Sequence, residues 1–126
     1  MIDEINLMIW GREFTLPIAY ECYDSETITA EQQKAAEIFA SRPDRNEAAK
    51  SKVEKYCKEA VMEDVENQKK DNIFSYIKPE RLFVKHDKGS PRTALMCRYR
   101  YDPEHGLAVV FNTDGSTAVG SQDIII

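Results

Sequence analysis

One segment near the carboxyl end limits the folds open to this chain, because Leu107-Ala108-Val109-Val110-Phe111 is apolar at every position. A strand buried on one face alternates apolar and polar residues, whereas a strand covered on both faces is apolar throughout. The segment is short for a helix, and turn-forming residues bound it at Gly106 and at Thr113-Asp114-Gly115. The sequence therefore predicts a central strand that is covered on each side.

Other segments have the alternation of strands that bury one face. The runs 5–10 and 13–22 flank Gly11-Arg12 and predict an N-terminal β-hairpin. Pro17 has no N–H group, so we expect its strand to lie at a sheet edge or to carry a bulge there. The runs 81–85, 93–101, 107–111 and 117–119 predict a C-terminal β-meander with turns at 102–106 and 113–116.

Two consecutive helices are expected between these groups of strands. Thr29 followed by Gln32 is the signature of a capping box, and it starts a helix that runs to about Ala40. Pro43 ends this helix, and Asn46 is expected to cap a second one. The predicted core residues are Gln32, Ala35, Ala36 and Phe39 in the first helix, and Ala49, Val53, Tyr56, Cys57, Ala60, Val61 and Val65 in the second.

This order of elements predicts a single α+β domain over residues 1–126. The helix pair is expected to pack on one face of a mostly antiparallel sheet. The chain has 126 residues and a net charge of −5, with 31% charged and 42% hydrophobic residues, the balance of an ordinary soluble domain. No apolar run approaches the ~18 residues of a membrane helix, and the start Met1-Ile2-Asp3-Glu4 is acidic where a signal peptide is basic. We therefore expect a cytoplasmic protein with no membrane partner.

Several common kinds of site have no signature in this sequence. There is no glycine-rich phosphate loop, H-E-x-x-H motif or G-x-S-x-G elbow, so the sequence predicts no cofactor, no metal site and no catalytic residue. The spacing of the three cysteines fits neither disulfide pairs nor a metal knuckle, and predicts reduced, mostly buried thiols: Cys22, Cys57 and Cys97. The lysines of the second helix are interrupted by acidic residues, which disfavours nucleic-acid binding.

The meander brings one group of polar residues together. The strand after Gly106 is followed by a strand that returns antiparallel, so the segment 120–123 is expected to end beside the turn at 102–106. The candidate binding residues are Asp102, Glu104, His105, Gln122 and Asp123. In one interpretation His105 moves a proton or contacts a ligand while Gln122 orients a polar substrate. In the other, the aspartates hydrogen-bond to turn amides and Glu104 pairs with His105 or an arginine.

Residues spread over most of the chain resemble a known family. The resemblance is carried by the segments W-G-R-E-F-T-L at 10–16, T-A-E-Q at 29–32, Y-R-Y-D-P-E-H-G-L-A-V-V-F at 99–111 and G-S-Q-D at 120–123. Together they resemble a domain of unknown function found in small uncharacterised bacterial proteins, frequent in gut anaerobes. The resemblance implies a bacterial cytosolic protein and assigns no activity, cofactor or catalytic residue.

The sequence favours a non-enzymatic binding or interaction module with a protein partner. The expected contact surface is the turn at 102–106 or an acidic surface elsewhere. One form of this hypothesis is an immunity-like role, in which the protein covers a basic surface of a toxin or nuclease. The alternative is a small enzyme or ligand-binding protein that uses His105 with Glu104, Asp102 and Asp123. A third hypothesis is a structural subunit whose edge strand near Pro17, or whose tail Ile124-Ile125-Ile126, pairs with a second copy. The sequence does not determine the oligomeric state.

Overall fold

The computed structural model describes residues 3–22, 27–42, 44–60, 73–86 and 91–125. Strands β1 (Glu4–Ile9) and β2 (Arg12–Tyr20) precede helices α1 (Ala30–Ser41), α2 (Asp44–Ala48) and α3 (Lys50–Ala60). A 3₁₀ turn at Ile73–Tyr76 leads into β3 (Ile77–Val84), β4 (Thr93–Tyr99), β5 (Leu107–Phe111) and β6 (Thr117–Gly120), and a second one spans Gln122–Ile124. The predicted α+β class, with its hairpin, helices and C-terminal strands, is confirmed. None of the described helices has the length and apolar character needed to cross a membrane.

The strands form one six-stranded sheet in the order β1-β2-β3-β4-β5-β6. Every neighbouring pair is antiparallel except β2 with β3, which is parallel. Two parallel strands cannot be joined by a tight turn and need a long crossover. The segment that contains α1, α2 and α3 is this crossover. The sheet is therefore mixed, and mostly antiparallel as predicted.

The expected edge position of Pro17 is wrong. The strand that contains it, β2, lies between β1 and β3. Pro17 is the last residue of β2 that pairs with β1, and the pairing with β3 begins one residue later at Ile18. The missing N–H group therefore falls where β2 changes its partner strand, a position at which a proline is tolerated inside a sheet.

The start of α1 is as predicted, but the start of the second helix is not. The Thr29 hydroxyl accepts a hydrogen bond from the Gln32 backbone, and the Gln32 side chain accepts one from the Thr29 backbone. Asn46, expected to cap a helix, instead lies buried inside α2, where its carbonyl accepts a hydrogen bond from the Trp10 indole at 2.8 Å. The predicted stripe of the second helix includes Ala49, Val53 and Cys57, which are buried, and Val61 and Val65, which lie outside the described residues.

Both faces of the sheet are covered. Residues 107, 109 and 111 of β5 belong to the larger core, which also contains Phe39 of α1 and Val53 of α3. Residues 108 and 110 belong to a smaller core with Ala94, Met96 and Ile125. All five residues of β5 are buried, which confirms the predicted two-sided cover. The helices cover one face of β5, and the C-terminal tail covers the other.

The buried Gln32 side chain connects α1 to the sheet through hydrogen bonds. The Gln32 side chain donates from Nε2 to the Glu21 carbonyl at 2.8 Å and to the Val84 carbonyl at 3.4 Å, while its Oε1 accepts from the Thr29 backbone at 2.9 Å. Val84 ends β3, and Glu21 directly follows β2. The amide group therefore joins the start of the helix to the ends of both parallel strands.

Replacing this amide with an apolar group of similar size tests its role. We expect Gln32→Leu to lower the free energy of unfolding by about 2–4 kcal/mol, because the Glu21 carbonyl loses this donor and the Thr29 N–H loses its acceptor. Gln33→Leu, a half-buried control on the same helix, is expected to change it by less than about 0.5 kcal/mol. Urea denaturation followed by circular dichroism measures both values. A Gln32→Leu protein as stable as the wild type would contradict the role of this side chain in connecting α1 to the two strands.

Candidate functional site

The turn before β5 and the tail after β6 lie side by side. The Gln122 backbone N–H donates to the His105 carbonyl at 3.0 Å. The Gln122 side chain donates from Nε2 to the Cys97 carbonyl of β4 at 3.1 Å. These two bonds attach the tail to the end of the sheet where β4 ends and β5 begins. The structure therefore brings the predicted polar residues of both segments to one end of the sheet.

Gly106 allows this close approach. Its φ is +64°, a conformation that favours glycine, and a Cβ atom there would lie 2.7 Å from the Cys97 carbonyl oxygen and 2.7 Å from Gln122 Nε2. Its N–H donates to the Asp102 carbonyl at 2.8 Å and closes the turn. Any side chain at this position meets both the sheet and the tail, so glycine is required by space as well as by backbone conformation.

Asp102 holds the backbone of the turn and the imidazole of His105 together. Its Oδ1 accepts from the His105 backbone N–H at 3.2 Å and lies 3.1 Å from His105 Nδ1. The hydrogen bond with Asp102, followed by the charge of that carboxylate, raises the pKa of His105 above its usual value, and the charges of Glu104 and Asp123 act in the same direction. The His105 side chain is 48% exposed and that of Asp102 is 34% exposed.

This geometry resembles a structural turn more than a catalytic centre. A carboxylate that accepts from a backbone N–H a few residues ahead is typical of Asx turns. The amide of Gln122 already donates to a main-chain carbonyl. An acid–base catalyst acts on a substrate held within hydrogen-bond distance, typically in a concave site. Here the imidazole lies on an exposed turn. The other ionisable groups of the predicted cluster are three carboxylates, those of Asp102, Glu104 and Asp123.

The buried thiols do not have the properties of nucleophiles. Cys57 and Cys97 are buried, Cys22 is exposed, and none of the three is in a disulfide, so the prediction of reduced, mostly buried thiols is confirmed. Burial raises the pKa of the Cys57 thiol and that of the Cys97 thiol. A reactive cysteine needs the opposite shift and an electropositive, partly open setting. Both groups therefore act as small apolar side chains of the core.

A cleft that the sequence did not predict lies at the opposite end of β5. It has a volume of about 730 Å³ and is bounded by α1, α2 and the turn between β5 and β6. Its apolar lining includes Ala35, Ile38, Ala48 and Phe111, and its charged residues are Glu31, Lys34, Arg42, Asp44 and Arg45. The one signal in the sequence is Ile38, an apolar residue outside the predicted stripe of α1 that is 45% exposed.

Residues 2–126 match a family described as domain of unknown function DUF6985. The chain belongs to the DUF6985 family. No curated protein and no solved structure matched this DUF6985 chain. The expected membership of a family without an assigned activity is confirmed, and function has to be argued from the geometry.

In this DUF6985 chain the His105–Asp102 pair is expected to stabilise the fold more when the imidazole is protonated than when it is neutral. The pair raises the pKa of His105 in the folded state, so its contribution is fully present below the unfolded pKa of roughly 6.5 and is lost as the pH rises through the folded pKa. We expect the stability advantage of the wild type over His105→Gln to shrink from about pH 5 to about pH 9.

Urea denaturation of both proteins at the two pH values measures this advantage. Asp102→Asn is the control, because it removes the charge of the partner. In that background the difference between His105 and glutamine is expected to vary less with pH. An advantage of His105 that stays constant or grows with pH contradicts the pairing.

Proposed function

We propose that this protein is a non-enzymatic interaction module that binds a basic surface of another protein through the acidic end of its sheet, residues 102–106 and 121–123. The observation that carries the proposal is the grouping of three carboxylates beside His105. Asp102 contacts the imidazole, Glu104 directly precedes His105 in the chain, and Asp123 directly follows Gln122, whose backbone N–H donates to the His105 carbonyl. The net charge of −5 for the whole chain agrees in sign. Complementary charge speeds association and selects partners.

The acidic end is held in one shape by its own hydrogen bonds. Asp102 accepts from the Gly106 N–H through its carbonyl and from the His105 N–H through its side chain. The tail is attached through the bonds of Gln122 to His105 and Cys97. A surface that is ordered before binding loses less conformational entropy when a partner docks. This supports a docking role for the turn.

An immunity-like role is the version we favour. A small acidic protein that covers a basic toxin or nuclease needs a preformed, negatively charged surface and no catalytic group. The resemblance of D-P-E-H-G and G-S-Q-D to bacterial proteins fits a bacterial source and a cytoplasmic site of action. The charge of His105 adds a pH dependence: since protonation offsets one carboxylate, a basic partner is expected to bind more tightly above the raised pKa than below it.

The alternative function is a small enzyme or ligand-binding protein that uses His105. The contact of 3.1 Å between His105 and Asp102, with Glu104 and Asp123 nearby, favours proton transfer in principle. The exposure of both side chains and the engagement of Gln122 with Cys97 weigh against it. Protein binding therefore remains the function that the geometry supports best.

Matched charge variants test the proposal. The immobilised protein is incubated at low salt with an extract of its native host, bound proteins are identified by mass spectrometry, and the affinity of the captured partner is then measured by titration calorimetry. We expect Glu104→Gln/Asp123→Asn to weaken binding by about three- to thirtyfold, since two exposed ion pairs are lost.

The control is Glu13→Gln/Glu37→Gln, which removes the same charge from exposed residues of β2 and α1. It is expected to leave the affinity close to that of the wild type, and the wild-type affinity is expected to fall as salt rises. Equal loss in both double variants means that only net charge matters and contradicts the assigned surface. Recovery of no partner at low salt contradicts the proposed function itself.

A further inference from the structure

The cleft bounded by α1, α2 and the β5–β6 turn has a local charge opposite to that of the whole protein. It is lined by three cations, Lys34, Arg42 and Arg45, and by two acids, Glu31 and Asp44, in a chain of net charge −5. Arg42 and Asp44 neutralise each other through two hydrogen bonds of 3.1 Å. Within the part of the chain that the structure describes, Lys34 and Arg45 make no ion pair. These two cations can therefore bind an anion from solution.

The guanidinium group of Arg45 lies over the floor of the cleft. Its guanidinium carbon lies 5.3 Å from the centre of the Phe111 ring, which attracts the cation over its face. The Phe111 ring is itself buried against Phe39. A guanidinium group positioned in this way offers a planar pair of N–H donors that matches the two oxygens of a carboxylate.

The other part of the cleft is apolar. Ile38 is 45% exposed, and Ala35 and Ala48 also line the space. Lys34 and Ile38 are four residues apart on α1, so they lie on the same side of the helix. A volume of about 730 Å³ is within the usual range for small-molecule sites. The cleft therefore has both a cationic group and an apolar wall for one ligand.

We propose that this cleft binds a small organic monocarboxylate, with its carboxylate held by Arg45 and Lys34 and its apolar body against Ile38 and Ala35. Because Arg42 and Asp44 neutralise each other, Lys34 and Arg45 together with Glu31 leave the cleft with one net positive charge. This small net charge favours a ligand with a single negative charge over a polyanion such as a nucleic acid. The site lies at the opposite end of β5 from the acidic turn, so it stands apart from the proposed protein-binding surface.

Nuclear magnetic resonance titration with simple probes tests the proposal. The probes are 3-phenylpropionate and hexanoate, which have both a carboxylate and an apolar group. Two control compounds are 3-phenylpropan-1-ol, which has the apolar group but no charge, and acetate, which has the carboxylate but almost no apolar group. We expect 3-phenylpropionate, hexanoate or both to cause saturable shifts in the backbone signals of residues 34–38 and 112–115. We also expect at least tenfold weaker binding of acetate and of the alcohol. Arg45→Gln is expected to weaken binding of the carboxylate at least tenfold.

Two controls separate this site from general charge effects and from the acidic turn. Lys55→Gln removes an exposed cation of α3, and the double variant Glu104→Gln/Asp123→Asn removes two charges of the acidic turn. Both variant proteins are expected to bind the probe as the wild type does. The proposal is overturned if neither carboxylate gives saturable shifts in the cleft, if acetate or the alcohol binds equally well, or if Lys55→Gln weakens binding as much as Arg45→Gln. None of these results bears on the affinity for a protein partner.

Discussion

Burial of both faces of β5 is the constraint on which the rest of the structure depends. The helices that connect the parallel strands β2 and β3 cover one face. The other face is covered by the chain after β6, which places Ile125 against Ala108 and Val110 in the smaller core. To reach that position the tail passes the start of β5, where Gln122 bonds to His105 and Cys97. The acidic end of the sheet is therefore a consequence of the hydrophobic cover.

The two ends of β5 differ in charge and in shape. Its five residues span roughly 16 Å. An exposed acidic turn precedes the first residue, and after the last lies a cleft whose Lys34 and Arg45 make no ion pair with any residue that the structure describes. The acidic turn suits a flat contact with a basic protein surface, because its side chains are exposed and its backbone is already ordered. The cleft suits a small ligand, because it joins a guanidinium group over the Phe111 ring to an apolar wall. The fold thus separates the two proposed binding surfaces by the length of one strand.

Local features and the return of the C-terminal meander were predictable from the sequence, whereas contacts between more distant segments were not. The alternation of strands, the capping box at Thr29 and the convergence of Gly106 with Gln122 follow from residue spacing and turn chemistry. The cap position predicted for Asn46 is wrong because this residue lies inside α2, where its backbone carbonyl accepts a hydrogen bond from the distant Trp10 indole. Pro17 was misplaced because the parallel pairing of β2 with β3 depends on a distant segment. The sequence does not predict the cleft, because its walls are two consecutive helices and a turn that lies far from them in the chain.

Docking of the tail on the second face of the sheet assembles the acidic end. Native-state hydrogen exchange at the Gln122 amide, which bonds to the His105 carbonyl, tests it most directly. In Ile125→Ala, which removes a buried side chain at a cost of about 2–5 kcal/mol, this amide is expected to lose protection while amides of β3 and β4 stay protected. In Ile124→Ala, where the side chain is 43% exposed, protection at Gln122 is expected to change little. Unchanged exchange at Gln122 in Ile125→Ala would contradict the account.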